Sequence, residues 1–172
     1  MTMGQLPGGN FTIADTISAS ITTSDGTGGS LASARIVIAS TANLCADAGA
    51  SPPIDRKSQR AITLDLRDVN GSMYSAPTAA GTYTIYPDTG SEPPKSASLS
   101  VSGLDATCQP LDADTAQAQS GTVTLTSVAG GVYAGSFNVV LNTGGTITGS
   151  FAPEACTALQ AAATSTSQPS CL

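Results

Sequence analysis

Period-two alternation of apolar and polar residues is the strongest signal in this chain, and it is clearest in the C-terminal third. In Thr122-Val123-Thr124-Leu125-Thr126 the two apolar side chains share one face and the three threonines the other, as in a strand with one buried face. The residues Ala129-Gly130-Gly131 turn the chain into 132–141, where Tyr133, Phe137, Val139 and Leu141 share a face. Asn142, Thr143, Gly144 and Gly145 then lead into 146–151, with Ile147 and Phe151 inward. Three strands joined by Gly-rich turns predict an antiparallel meander.

The same alternation, with weaker punctuation, predicts strands over 11–22, 34–40, 60–69, 82–86 and 95–103. Ile62, Leu64 and Leu66 face a core while Thr63, Asp65 and Arg67 face water, and Asn70-Gly71 predicts a turn into Ser72-Met73-Tyr74. Roughly eight or nine short strands predict an all-β fold, first an antiparallel β-sandwich with Greek-key or meander connections, second a lipocalin-like barrel. Helix is expected only over 153–163, which is Ala-rich with Pro153 at its first turn. The chain reads as a single β domain over 1–172: a flexible N-terminus over 1–10, a strand core over 11–152 and a disulfide-stapled tail over 153–172. Connections over 44–58, 87–94 and 105–120 are where loop-borne function would sit. The two Gly-Ser-Phe triplets at 135–137 and 149–151 read as places where a facing aromatic ring packs over a glycine.

Composition narrows the chemistry. Serine and threonine supply 45 of the 172 residues, charged residues only 10%, and there is no His and no Trp. Serine or cysteine devices that rely on an imidazole base are excluded within this chain, as are His-based zinc sites. A net charge of −6 repels phosphate backbones, so no nucleic-acid partner is expected. No apolar run approaches a membrane-spanning length, and the first nine residues show neither a basic region nor an apolar one, as in a chain whose leader has been removed. No cofactor is expected.

Cys45, Cys108, Cys156 and Cys171 contain no Cys-x-x-Cys pair, which argues against a zinc site and for two disulfides in an oxidising, extracytoplasmic compartment. Four cysteines allow three connectivities. The preferred one joins Cys156 to Cys171 and Cys45 to Cys108, stapling the tail back to the last strand.

Several clusters are candidates for chemistry. Asp88-Thr89-Gly90 matches the loop that carries the catalytic carboxylate of aspartic proteases, but no second copy occurs to share the proton, and Pro87-Asp88-Thr89-Gly90 also reads as a tight turn. Asp112 and Asp114, and separately Asp65, Asp68 and Asn70, offer oxygen ligands without the full spacing of a calcium loop. The segment from Asp25 to Gly29 lacks the lysine of a phosphate loop and reads as a turn. Arg56, Lys57 and Arg60 form a candidate docking patch for an acidic partner. Asn10-Phe11-Thr12 and Asn70-Gly71-Ser72 match the glycosylation sequon.

The run Ser120-Gly-Thr-Val-Thr-Leu-Thr-Ser, then Tyr133-Ala-Gly-Ser-Phe-Asn-Val, then Gly145-Thr-Ile-Thr-Gly-Ser-Phe-Ala-Pro, ending at Cys156, resembles the C-terminal part of uncharacterised secreted or lipid-anchored β-rich envelope proteins of Gram-negative bacteria. The resemblance implies envelope or outer-surface placement, with an anchoring lipobox cysteine in the precursor. It brings no catalytic residues.

The leading functional expectation is therefore a non-enzymatic extracytoplasmic protein, partner-binding or structural at the cell surface. Its partner would be a protein or a surface glycan, and self-association through strand edges is compatible with it. The alternatives are a β-barrel holding an apolar or glycan ligand, and a carboxylate-only hydrolase such as a glycosidase, for which the only glutamates are Glu92 and Glu154.

Overall fold

The computed structural model describes residues 6–24, 29–87 and 89–172. In chain order the elements are β1 (Asp15–Ser24), β2 (Ser30–Ala39), α1 (Leu44–Ala48), β3 (Ile54–Asp55), β4 (Arg60–Asn70), β5 (Met73–Ser75), β6 (Gly81–Ile85) and β7 (Lys95–Gly103). A 3-10 turn (Asp112–Asp114) precedes β8 (Ala116–Ala129), β9 (Val132–Leu141), β10 (Thr146–Phe151), β11 (Glu154–Ala155), α2 (Ala158–Thr164) and β12 (Ser170–Cys171). The class is all-β, as the alternation predicts. The long strands belong to one curled sheet in the order β10-β9-β8-β6-β7-β4-β2-β1-β11, with β5 beside β4 and a separate β12–β3 pair. Pairing is mixed: β6 runs parallel to β7 and β11 parallel to β1.

The curl brings the sheet's ends together. From β10 the chain passes through Ala152 and Pro153 into β11, which pairs with β1 at Ile17 and Ser18, so one bent segment joins both ends of the strand order. Side chains assist: the Ser18 hydroxyl donates to the Gly131 carbonyl at 2.9 Å, and Ser20 and Tyr133 hydroxyls meet. The inner faces of β2, β4, β6, β7, β8, β9 and β10 enclose the main core, where Ile36, Ile62, Leu64, Leu66, Tyr83, Val123, Leu141 and Ile147 are fully buried. At about 25 cal/mol per Å² of apolar area, this burial is the principal stabilising term.

A second apolar cluster lies on the outer face of β1, where Ile17, Ala19 and Ile21 meet Leu44 of α1 and Leu159 of α2. The tail differs here from the sequence reading: residues 154–155 extend as a strand, Pro153 precedes them, and the helix starts at Ala158. Pairing with the β1 edge outweighs local helix propensity at 154–155.

Two disulfides are present, but in a different connectivity from the preferred one: Cys45 bonds Cys156, and Cys108 bonds Cys171. Docking of α1 beside α2 over β1 brings Cys45 to Cys156, and the parallel β12–β3 pair carries Cys171 to the Cys108 loop. Proximity along the chain was a poor guide because the tail packs across the molecule. Residues 6–10, read from sequence as part of a flexible lead-in, pack onto the core: Leu6 is buried, and Arg60 donates to the Pro7, Gly8 and Gly9 carbonyls. No helix among the described residues is long and apolar enough to cross a membrane.

Candidate functional site

Around the curl the outer surface divides into three sectors. Over β1 it is covered by the two helices. Over β2 and β4 it is ionic: Arg35 grips Asp65 with two bonds of 2.9 Å, and Arg67 pairs with Glu92 while lying over the Tyr74 ring. Over β6, β8, β9 and β10 it is neutral. Register places Thr84, Thr122 and Asn138 in one cross-strand row that continues to Thr148, and Thr82, Thr124, Ser136 and Ser150 in the next. Neighbouring strands lie about 4.8 Å apart and alternate residues about 6.8 Å apart along a strand, so the rows form a regular lattice of hydroxyl and amide groups.

This neutral sector contains a notch of about 380 Å³ at a fork in the sheet. β8 pairs with β7 at Ala116 and Gln117 but with β6 from Thr122 onward. β6 ends at Ile85, and Tyr86 keeps one bond to β7, from its amide to the Ala97 carbonyl. Between these pairings β8 carries a bulge, a register shift between Ala118 and Ser120 against β9. Before the bulge the even residues Ala116 and Ala118 point inward; after it the odd residues Val123 and Leu125 do. Gly121 makes this possible: its φ is +119°, and a Cβ there would sit 2.3 Å from the Asn138 carbonyl oxygen.

The notch is lined by Tyr86, Ser98, Ser100, Gln117, Gln119 and Asn142, with Leu99 and Ala118 buried beneath. Tyr86 is held by its hydroxyl donating to the Gly90 carbonyl at 3.0 Å. Asn142 is held by two bonds to the Gln117 backbone, its own amide donating to the Gln117 carbonyl and its side-chain oxygen accepting from the Gln117 amide. The lining holds no Asp, Glu, Lys or Arg, so what the notch offers is neutral donors and acceptors, an aromatic ring and a small apolar floor. A second depression of about 380 Å³ lies between β1 and the β8–β9 turn, lined by groups that hold the sheet ends together, among them Ser18, Gly131, Cys156 and Gln160.

Residues singled out from sequence fall elsewhere. The proposed basic patch is taken apart by ion pairs: Arg56 grips buried Asp47 with bonds of 2.8 and 2.6 Å, and Arg60 pairs with Asp114. Asp65 and Asp68 are likewise engaged, with Arg35 and Lys95, and among the described residues no group of three metal-binding side chains gathers. Glu92 pairs with Arg67, whereas Glu154 lies on β11 beside Ile17. Asp88 and residues 25–28 lie outside the described residues. Asp105 accepts bonds from the Gln109 amide and from the hydroxyl and amide of Thr107, which hold its carboxyl below the usual value of 3.8. Its position organises the loop ahead of Cys108.

Periodicity places Tyr86, Ser98 and Ser100 on strands and Gln117 and Gln119 in the 105–120 connection named as a place for loop-borne function, but it does not bring them together with Asn142. The available signal was the break of alternation at Gln119-Ser120-Gly121 following Ala116 and Ala118, a pattern a bulge produces. No family model, no curated protein and no solved structure matches this chain.

Proposed function

We propose that this chain is a non-enzymatic extracytoplasmic protein that works at the cell surface by binding a partner. The observation that carries the reading is the uncharged hydroxyl and amide lattice with its notch, displayed on a doubly cross-linked shell. Disulfides persist in oxidising compartments, which supports the extracytoplasmic placement. Among the described residues Arg35, Arg56, Arg60, Arg67 and Lys95 are engaged in intramolecular ion pairs, and the strands of the neutral sector carry no charged side chain. Rigid elements presenting preset hydrogen-bonding groups bind with less loss of conformational entropy than mobile ones. The resemblance of 120–156 to envelope β-proteins supports the same placement and a lipid-anchored precursor.

The test is sedimentation of labelled, oxidised protein with isolated Gram-negative outer envelopes. Saturable binding that changes little between low and high salt is expected, because neutral contacts are not screened as ionic ones are. Absence of saturable binding would refute the proposal.

A further inference from the structure

We infer that the notch and the lattice beside it take an uncharged saccharide chain, one sugar unit seated in the notch against Tyr86. This rests on the binding reading and names its ligand class. A neutral sugar presents hydroxyls that both donate and accept, together with an apolar C–H face. The notch matches each of these requirements. Gln117, Gln119 and Asn142 bring amide groups and Ser98 and Ser100 bring hydroxyls, all able to pair with sugar hydroxyls without a charge to desolvate. The Tyr86 ring, fixed through Gly90, gives the apolar C–H face a surface to lie against.

Size and continuity agree with the chemistry. The notch, about 380 Å³, falls within the range of small-ligand sites. Ser98 and Ser100 continue the outer row of β7 past the end of β6, and Thr122 and Thr84 begin the lattice on the other side of the fork. A chain of several sugars therefore has hydrogen-bonding groups beyond the seated unit. A protein partner would instead be expected to bury a cluster of apolar anchors; of the exposed large apolar side chains Met73, Leu111, Val140 and Leu172, none lines the notch, and Val140 stands singly on the outer face of β9 opposite Thr146. An anionic polysaccharide fits less well, since the lining residues carry no cation and the molecule is net negative.

The experiment is a titration of isotope-labelled, oxidised protein, followed by amide NMR, with cellohexaose, maltohexaose and laminarihexaose, and with hexagalacturonate as the charged control. At least one neutral hexasaccharide is expected to shift the amides of Tyr86, Ser98, Ser100 and Gln119 saturably, while hexagalacturonate does not. Tyr86→Ala is expected to weaken that binding by about tenfold or more, as truncation of an aromatic anchor does, and Tyr86→Phe to retain most of it. Gln119→Ala, at an exposed side chain outside the core, gives a second variant whose fold is not at risk, with a loss of several-fold expected. Failure of all three neutral sugars to move these amides would overturn the inference, as would equal binding of hexagalacturonate. If envelopes bind the protein but the neutral hexasaccharides neither shift these amides nor compete, the partner is of another kind: this inference falls and the binding reading stands.

Discussion

Tyr83 is the largest fully buried side chain, and its hydroxyl does not end in the core: it donates to Asp68 at 3.0 Å and accepts from Lys95 at 3.2 Å. Burial, and the neighbouring Asp68, push its phenol above the usual 10.0, while the bonds to Tyr83 and then Asp68 raise Lys95 above 10.5. Both groups have folded values raised above their unfolded ones. Their contribution is therefore fully present below pH 10 and is lost as pH rises through the folded values. Tyr83→Phe should cost about 1 kcal/mol at neutral pH and flatten the loss of stability above pH 10, read by urea titration at several pH values. At Gly135 the constraint is steric, since a Cβ would lie 2.1 Å from the Thr124 carbonyl oxygen where β8 shifts register against β9. Gly135→Ala should destabilise by about 2 kcal/mol or more, seen as a lower urea midpoint with an unchanged slope. The paired triplets show a related economy: Gly135 faces Phe151 and Gly149 faces Phe137 across β9 and β10, and the two rings stack with centroids 6.4 Å apart.

Among the elements, the β1 edge is the most heavily guarded. β11 occupies it at Ile17 and Ser18, and further along the Gln160 side chain accepts from the Thr22 amide and donates to the Thr22 carbonyl, imitating a strand. An uncovered edge is a template for another chain. Gln160→Ala should therefore lower stability only slightly, by about 1 kcal/mol, yet increase self-association with concentration, measurable by sedimentation velocity. This bears on the expectation of edge-mediated association: covering by β11 and α2 disfavours it at β1. The meander β8–β9–β10 was legible because its strands alternate cleanly between Gly-rich turns. The start of β8 was not, because two alanines carry little apolar contrast and the bulge between Ala118 and Ser120 breaks the period.

At the scale of the whole molecule, the disulfides bridge sequence separations of 111 and 63 residues. In the chain-entropy model each contributes about 4 to 5 kcal/mol by restricting the unfolded chain. Peptide mapping without reduction should recover Cys45 linked to Cys156 and Cys108 linked to Cys171. Replacing Cys45 and Cys156 together by serine should lower the urea midpoint markedly, because the bond between α1 and the end of β11 secures both the second cluster and the closure of the sheet. Recovery of a Cys156–Cys171 peptide would contradict this connectivity.

The sequence by itself determined the class, the inward set Val123, Leu125, Tyr133, Phe137, Ile62, Leu64 and Leu66, and the presence of oxidisable cysteines in a charge-poor chain, since these follow from local periodicity and composition. Tertiary structure alone decided the cysteine partners, the engagement of Arg56 and Arg60 in ion pairs, the burial of Leu6 and the fork that holds the notch. Each of those depends on residues far apart in the chain meeting when the sheet curls. A one-dimensional pattern records which face a residue takes, whereas the curl and the order of strands determine what that face meets.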